Sequence, residues 1–492
     1  MAVGSQRMLG SAPSIRGLAA ATLVLLPGAC APAAEPTLHL RAEASRRVNA
    51  IYHLACLARS ISCTHQVFER FWRGPLGWTP ADQAALDEWR QVMADVTDRA
   101  PPRSGAPLLL NTPRFHPAQA ARGLVFVAAV ESRSARELVS HSSGILSTQA
   151  AARLAAAVAH FERRLDPWWR SESRRRRAVD GQLKRVADHA RRTGMLQVMA
   201  DVAAFVEAEL VDPELRLHAI IPPEPTSQNF TATQSGKHFF VEAVSAATTD
   251  AFVHGAVHEL SHYLYDRAPS GKHVALVREF AQSEATSFAG LYTYLNEALA
   301  VAAQGLYADR QKQGGDESEG YKHPYIQPLG AVTIPLLKDA ITRQQTLFSD
   351  FAASYIAAGT AALGSKVREP RFVLAQVALL VPPEADRLTA AYSATMFPQA
   401  SAQFQSPAEL EAFPDVNVVW FVQYEALDSL AAQIPELVSL RARRAFAFAI
   451  KRGPRAYTYI LAGRDTDSIV EVITKLGALE RLPAAGLLFA LD

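Results

Sequence analysis

The stretch His258-Glu259-Leu260-Ser261-His262 limits what this chain can fold into more than any other. Two histidines four residues apart meet only on an α-helix, where both imidazoles leave one face about a turn apart. Imidazoles so placed can bind one Zn²⁺, and a glutamate after the first of them reaches a water rather than the metal. Zinc lowers the pKa of a water to about 7, so Glu259 can accept its proton as it attacks a carbonyl and later return it to a leaving amine. The flanking residues suit the motif. Leu215 to Ile221 reads as a strand, stopped by Pro222-Pro223-Glu224-Pro225, and Gly236 opens a second strand over Lys237 to Val244. Thr248, Thr249 and Asp250 then offer N-caps for the helix that carries the motif.

Two histidines leave a catalytic metal one protein ligand short. The residues after His262 are Tyr263-Leu264-Tyr265-Asp266-Arg267-Ala268, so no HExxHxxGxxH extension supplies a third histidine. A carboxylate on a later helix remains, with Glu279, Glu284 and Glu297 as candidates. Asn296-Glu297 interrupts the apolar run Leu291 to Ala303, and a carboxylate buried there is costly unless a cation meets it. Glu284, among Gln282, Ser283 and Thr286 near a helix start, needs no metal.

Tyr294-Leu295-Asn296-Glu297-Ala298-Leu299-Ala300 resembles the WLNEGLA segment of gluzincin peptidases, the peptidase-MA-like enzymes that include aminopeptidase N-like members. The resemblance runs from about Lys237 to Ala303. It implies zinc-dependent hydrolysis of peptide bonds, with His258, His262 and Glu297 as ligands and Glu259 as base. It also implies an oxyanion donor from a later segment, for which Tyr321, His323 and Tyr325 are candidates. The spacing departs from the family: 34 residues separate His262 from Glu297, more than in aminopeptidase N-like members. Asp266 to His273 reads as the inserted loop, and Glu284, nearer the shorter spacing, stays as second candidate. No GxMEN-like segment precedes the helix, so an aminopeptidase is not implied. His254, four residues before His258, is a candidate for supporting the ligands or lining the entrance to the site, and Asp266, four after His262, for orienting an imidazole.

The expected fold is α+β and predominantly helical. A zincin-like core over 216–310, with a small sheet and the HExxH helix, lies between a helical region at 34–215 and a C-terminal region at 311–492 that is helical with a small α/β end. Helices are expected over Leu38 to Arg59, Pro80 to Asp98 and Thr148 to Arg164, and from Tyr321 through about Leu380. Gly123 to Val130 reads as a strand or a helix start. Pro101 to Pro117 reads as a linker and Gln311 to Gly320 as a loop. Strands are expected over Val416 to Val422, Ala445 to Lys451 and Ala456 to Leu461. A chain of 492 residues with 49% hydrophobic and 20% charged residues has ample material for such cores.

Residues 1–33 resemble an export signal, with Arg7 and Arg16 ahead of the apolar stretch Gly17 to Leu26, which is too short to span a bilayer. Ala31-Pro32-Ala33 suits ordinary signal peptidase, whereas Leu26-Pro27-Gly28-Ala29-Cys30 resembles a lipobox that would lipidate Cys30. The expected location is the periplasm or, through Cys30, the outer membrane as a lipoprotein. Cys56 and Cys63 are then either a short-loop disulfide or two buried thiols. The formal net charge of +2 gives no global field to recruit nucleic acid. The run Arg174 to Arg177, continued by Lys184, Arg185, Arg191 and Arg192, reads as a solvated helix face. The expected partner is a peptide or protein substrate. Two other readings fit the same residues: a non-catalytic envelope lipoprotein that keeps a peptidase-like fold, and a zinc hydrolase of non-peptide substrates.

Overall fold

In the computed structural model, residues 38–61, 63–99, 117–210, 214–224, 232–242, 249–282, 288–311, 323–382, 386–412, 415–453, 455–482 and 485–492 are described. The leader with Cys30, the linker at 101–116, the loop at 312–320, Glu284 and Tyr321 lie outside them.

Strand β1 (His39–Glu43) pairs parallel to β2 (Glu214–Ile220), and β2 pairs parallel to β4 (His238–Glu242). β3 (Ala232–Ser235) runs antiparallel along the far side of β4, so the sheet order is β1-β2-β4-β3. Both faces of this sheet are covered. Leu215, Leu217, Ala219, Phe239 and Val241 join the core that surrounds the HExxH helix. Ile220 and Phe240 point the other way, into a second core.

That second core belongs to the N-terminal helices α1 (Arg46–Leu57), α2 (His65–Arg73), α3 (Pro80–Arg99), α4 (Pro117–Glu131), α5 (Ala135–His141) and α6 (Thr148–Ser171). Cys56 on α1 is joined to Cys63 by a disulfide with a Cα–Cα separation of 5.9 Å. One expectation changes here and one open alternative is decided. Residues 39–43 are a strand and not helix, because they complete a parallel ladder; the helix starts after Ser45, whose hydroxyl accepts from the Val48 N–H. Gly123 to Val130 lies inside α4 and is helical.

Around the HExxH motif stand α7 (Ser173–Arg192), α8 (Met195–Phe205), α9 (Thr249–Asp266), α10 (Ser270–Gln282), α11 (Phe288–Arg310), α12 (Ile326–Thr342) and α13 (Ala352–Leu363). Helix α9 carries the motif. Its Phe252, Val253, Ala256, Val257, Leu260 and Leu264 repeat at three and four spacing and are fully buried. Helix α11 is buried almost all round. It is locked against α12 by two glycines at close approach: a Cβ on Gly330 would lie 2.5 Å from Val301, and one on Gly305 2.8 Å from Ile334. Side chains from 38, from 169–206 and from 325–375 all enter this core, so the packing behind the motif is not confined to 216–310. The stretch expected as an inserted loop, Asp266 to His273, is mostly helical: α10 occupies the long connection between α9 and α11.

The C-terminal part follows the short α14 (Pro370–Val373). It is a six-stranded mixed sheet in the order β10-β8-β9-β7-β5-β6. The strands are β5 (Gln376–Leu380), β6 (Ala400–Phe404), β7 (Val418–Gln423), β8 (Ala445–Lys451), β9 (Tyr457–Gly463) and β10 (Gly486–Leu491). Helices α15 (Asp386–Met396), α16 (Tyr424–Ala431) and α17 (Thr466–Gly477) cover it. β7, β8 and β9 lie where the sequence puts strands. β5 corrects a helix, and β6 and β10 were not expected. β5 is buried at every position, so it lacks the alternation that marks a half-buried strand. The fold as a whole is α+β and mostly helical with two small mixed sheets. No described helix is long and apolar enough to cross a membrane.

Candidate metal centre

Helices α9 and α11 pack side by side and bring three side chains to one point. The Nε2 atoms of His258 and His262 lie 3.2 Å apart. Glu297 Oε2 is 3.5 Å from His258 Nε2, and Glu297 Oε1 is 3.7 Å from His262 Nε2. Donors held tetrahedrally 2.0–2.1 Å from one ion would be about 3.3–3.5 Å apart, so these separations suit a shared metal. The His258, His262 and Glu297 side chains are 10, 16 and 25% exposed, enough for an ion and a small molecule to reach them.

The other imidazole nitrogens are spent elsewhere, and this decides what the Nε2 atoms offer. Gln304 Nε2 donates to the His254 carbonyl at 3.1 Å, which turns the Gln304 oxygen toward His258 Nδ1, 3.3 Å away. His262 Nδ1 is 3.0 Å from Asn296 Oδ1. An amide oxygen can only accept, so each Nδ1 carries a hydrogen, and in the neutral ring each Nε2 presents a lone pair that can take a metal or, without one, a proton. Two lone pairs 3.2 Å apart repel unless a cation lies between them. The donor set therefore fits a metal ion. Gln304 and Asn296 thus orient the two imidazoles, and His254 contributes its carbonyl by anchoring the Gln304 amide. A polar residue next to Glu297, and another seven residues on, was the readable signal.

The electrostatics agree. Burial disfavours a charged His258, but the hydrogen bond and negative charge of Glu297 outweigh it and raise its proton affinity. Burial pushes the Glu259 carboxyl up, opposed by the positive charge of His262 and His258. A carboxylate raised in this way is a better proton acceptor than an exposed one.

The remaining candidates separate. Glu279 sits on α10, in a groove it shares with Ile356 and Thr360 of α13, and is not part of the cluster. His323 precedes α12, with its ring 5.5 Å from that of Tyr294 and within the field of Glu297. The Tyr325 and Ile326 N–H groups both donate to His323 Nδ1 at 3.3 Å, which leaves Nε2 as the nitrogen bearing hydrogen. Burial lowers its proton affinity, which favours the neutral ring, against the opposing charge of Glu297. Tyr325 is otherwise engaged: it is buried, and its hydroxyl donates to Glu369 at 2.7 Å.

One group near the motif was missed from sequence. Glu242, the last residue of β4, is fully buried and accepts from the Tyr52 hydroxyl and the Thr64 N–H, each at 3.0 Å, and from the Thr64 hydroxyl at 2.5 Å. Burial raises its proton affinity. Thr64 follows Cys63, so the disulfide and α1 together pin the end of the strand that precedes α9. A glutamate closing the apolar strand His238 to Glu242 was the only hint.

No family model, no curated protein and no solved structure matches this chain.

Proposed function

We propose that the chain is a zinc-dependent peptidase of the gluzincin type, acting in the cell envelope. The observation that carries this reading is the convergence of His258 Nε2, His262 Nε2 and a Glu297 carboxylate, with both Nδ1 atoms committed to amide oxygens. Zinc bound there would lower the pKa of a water to about 7 and polarise a substrate carbonyl. Glu259 accepts a proton from the attacking water at its carboxylate and passes it to the leaving amine. His323, held as the Nε2–H tautomer, donates to the oxygen on which negative charge develops. Asn296 and Gln304 fix the two imidazole planes.

Peptide rather than another acyl substrate is favoured by β3, an edge strand that packs against α9. It pairs with no second strand on its other side among the described residues, and an extended chain can pair with such an edge. The mixed sheet laid beside the HExxH helix supports a zincin-like core, and the leader supports export.

The test is Glu259→Gln, assayed on casein and on a mixed peptide library with cleavage read by mass spectrometry. The variant should keep its fold and its zinc while hydrolysis falls by about 10²–10⁴-fold, the range for a lost general base. Undiminished turnover would remove Glu259 from the mechanism.

A further inference from the structure

Helix α7 presents a strongly basic exposed face that takes no part in the candidate metal cluster. It runs for 20 residues, about 30 Å. Val179, Leu183, Val186 and Ala190 form one buried line that enters the core beside Leu38. At about 100° per residue, Arg174, Arg185 and Arg192 fall within roughly 20° of one another on the opposite side. Arg177, Lys184 and Arg191 lie beside them, and all six are exposed. Two exposed acids, Asp180 and Asp188, share that surface, and only Arg191 of the six forms an ion pair among the described residues, with Asp188 at 2.7 Å. The protein's net charge is only +2, so this surplus is local.

The chain reaches this helix directly from its N-terminal segment. Leu38 is buried against the same core as the apolar line of α7, and β1 runs alongside α7. The basic face of α7 has no aromatic residue on it for stacking bases, which argues against nucleic acid.

We propose that the exposed face of α7 docks on a phospholipid bilayer bearing anionic headgroups, orienting the folded chain on the membrane through the complementarity of its basic residues and the headgroup phosphates. Clusters of four to eight Lys and Arg on an amphipathic helix bind such surfaces, with each charge adding an increment that salt screens.

The experiment uses the full chain and vesicles of 70:30 phosphatidylcholine:phosphatidylglycerol, with sedimentation as the readout. The N-terminal segment is common to every sample, so differences report α7. Arg174→Gln, Arg177→Gln, Lys184→Gln and Arg185→Gln together should weaken binding at least tenfold. The loss should vanish on pure phosphatidylcholine and shrink in 0.5 M NaCl. A control removing four exposed arginines elsewhere, at 343, 387, 441 and 443, should bind like wild type. Circular dichroism checks that both variants fold, as substitution at exposed positions leads one to expect. Equal binding by wild type and the α7 variant overturns the proposal, and so does an equal loss in the control. A single-stranded oligonucleotide that competes at equal phosphate concentration would assign the face to nucleic acid and overturn it too.

Discussion

Two pairs of histidines lie in this molecule at nearly the same distance and are built for opposite ends. His258 and His262 approach to 3.2 Å along one helix face, and His218 and His238 approach to 2.9 Å across neighbouring strands, their rings stacked at 10°. In the helix pair, Asn296 and Gln304 occupy both Nδ1 atoms, so the two Nε2 atoms converge on Glu297. In the strand pair the nitrogens are used in series. His218 Nε2 meets His238 Nδ1, and His238 Nε2 meets Glu131 at 3.2 Å. His218 Nδ1 lies 3.5 Å from Glu43. A line of nitrogens bonded to one another has no shared point for an ion. The difference teaches that metal capacity depends on which nitrogens the neighbours have already taken, not on how many histidines are close.

The largest effect that separates the pairs is metal content. His258→Ala or His262→Ala should reduce zinc affinity more than 100-fold, whereas His218→Ala or His238→Ala should leave zinc stoichiometry unchanged by elemental analysis. Zinc lost equally from both sets would erase the distinction. A smaller effect tests the orienting amides. Asn296→Ala and Gln304→Ala should each weaken zinc binding by about 10–100-fold, measured by competition with a chelator. Retention of full affinity would mean that the Nδ1 contacts do not set the tautomers.

The smallest effects are on stability. His238→Gln should destabilise the metal-free chain by about 1–3 kcal/mol, the cost of leaving a buried partner unpaired, with zinc binding intact. Its pH dependence should run opposite to that of His258. Burial lowers the proton affinity of His218 and His238, so their contribution is present above about pH 6.5 and is lost as pH falls. The affinity of His258 is raised, so its contribution is present below about pH 6.5 and is lost as pH rises through its folded value. Denaturant midpoints of the metal-free protein should therefore show the gap between wild type and His238→Gln narrowing from pH 7.5 to 5.5. The gap for His258→Gln should widen over the same interval, and parallel curves would contradict the assigned directions.

Much of the site was legible because its chemistry is local in sequence. Helical spacing placed His258 beside His262, and Asn296-Glu297 in an apolar run marked a carboxylate in need of a cation. The three side chains do meet, from two helices joined through α10. What was illegible came from distant contacts. β1 reads as part of a helix until β2, some 170 residues later, pairs with it. β5 reads as helix because both of its faces are buried, which removes the period of two. The Glu242 clamp joins Tyr52, Thr64 and β4, and no spacing rule connects residues so far apart. Cys56 and Cys63 were legible as a pair but not as a bond, since seven residues suit a shared helix face as well as a closed loop.

The most direct test is anomalous diffraction at the zinc edge from crystals of the protein grown with zinc. The account predicts one peak bonded to His258 Nε2, His262 Nε2 and a Glu297 oxygen at about 2.0–2.2 Å, with none between His218 and His238. A peak ligated by Glu284 with Glu297 remote, or one lying in the strand pair, would contradict it.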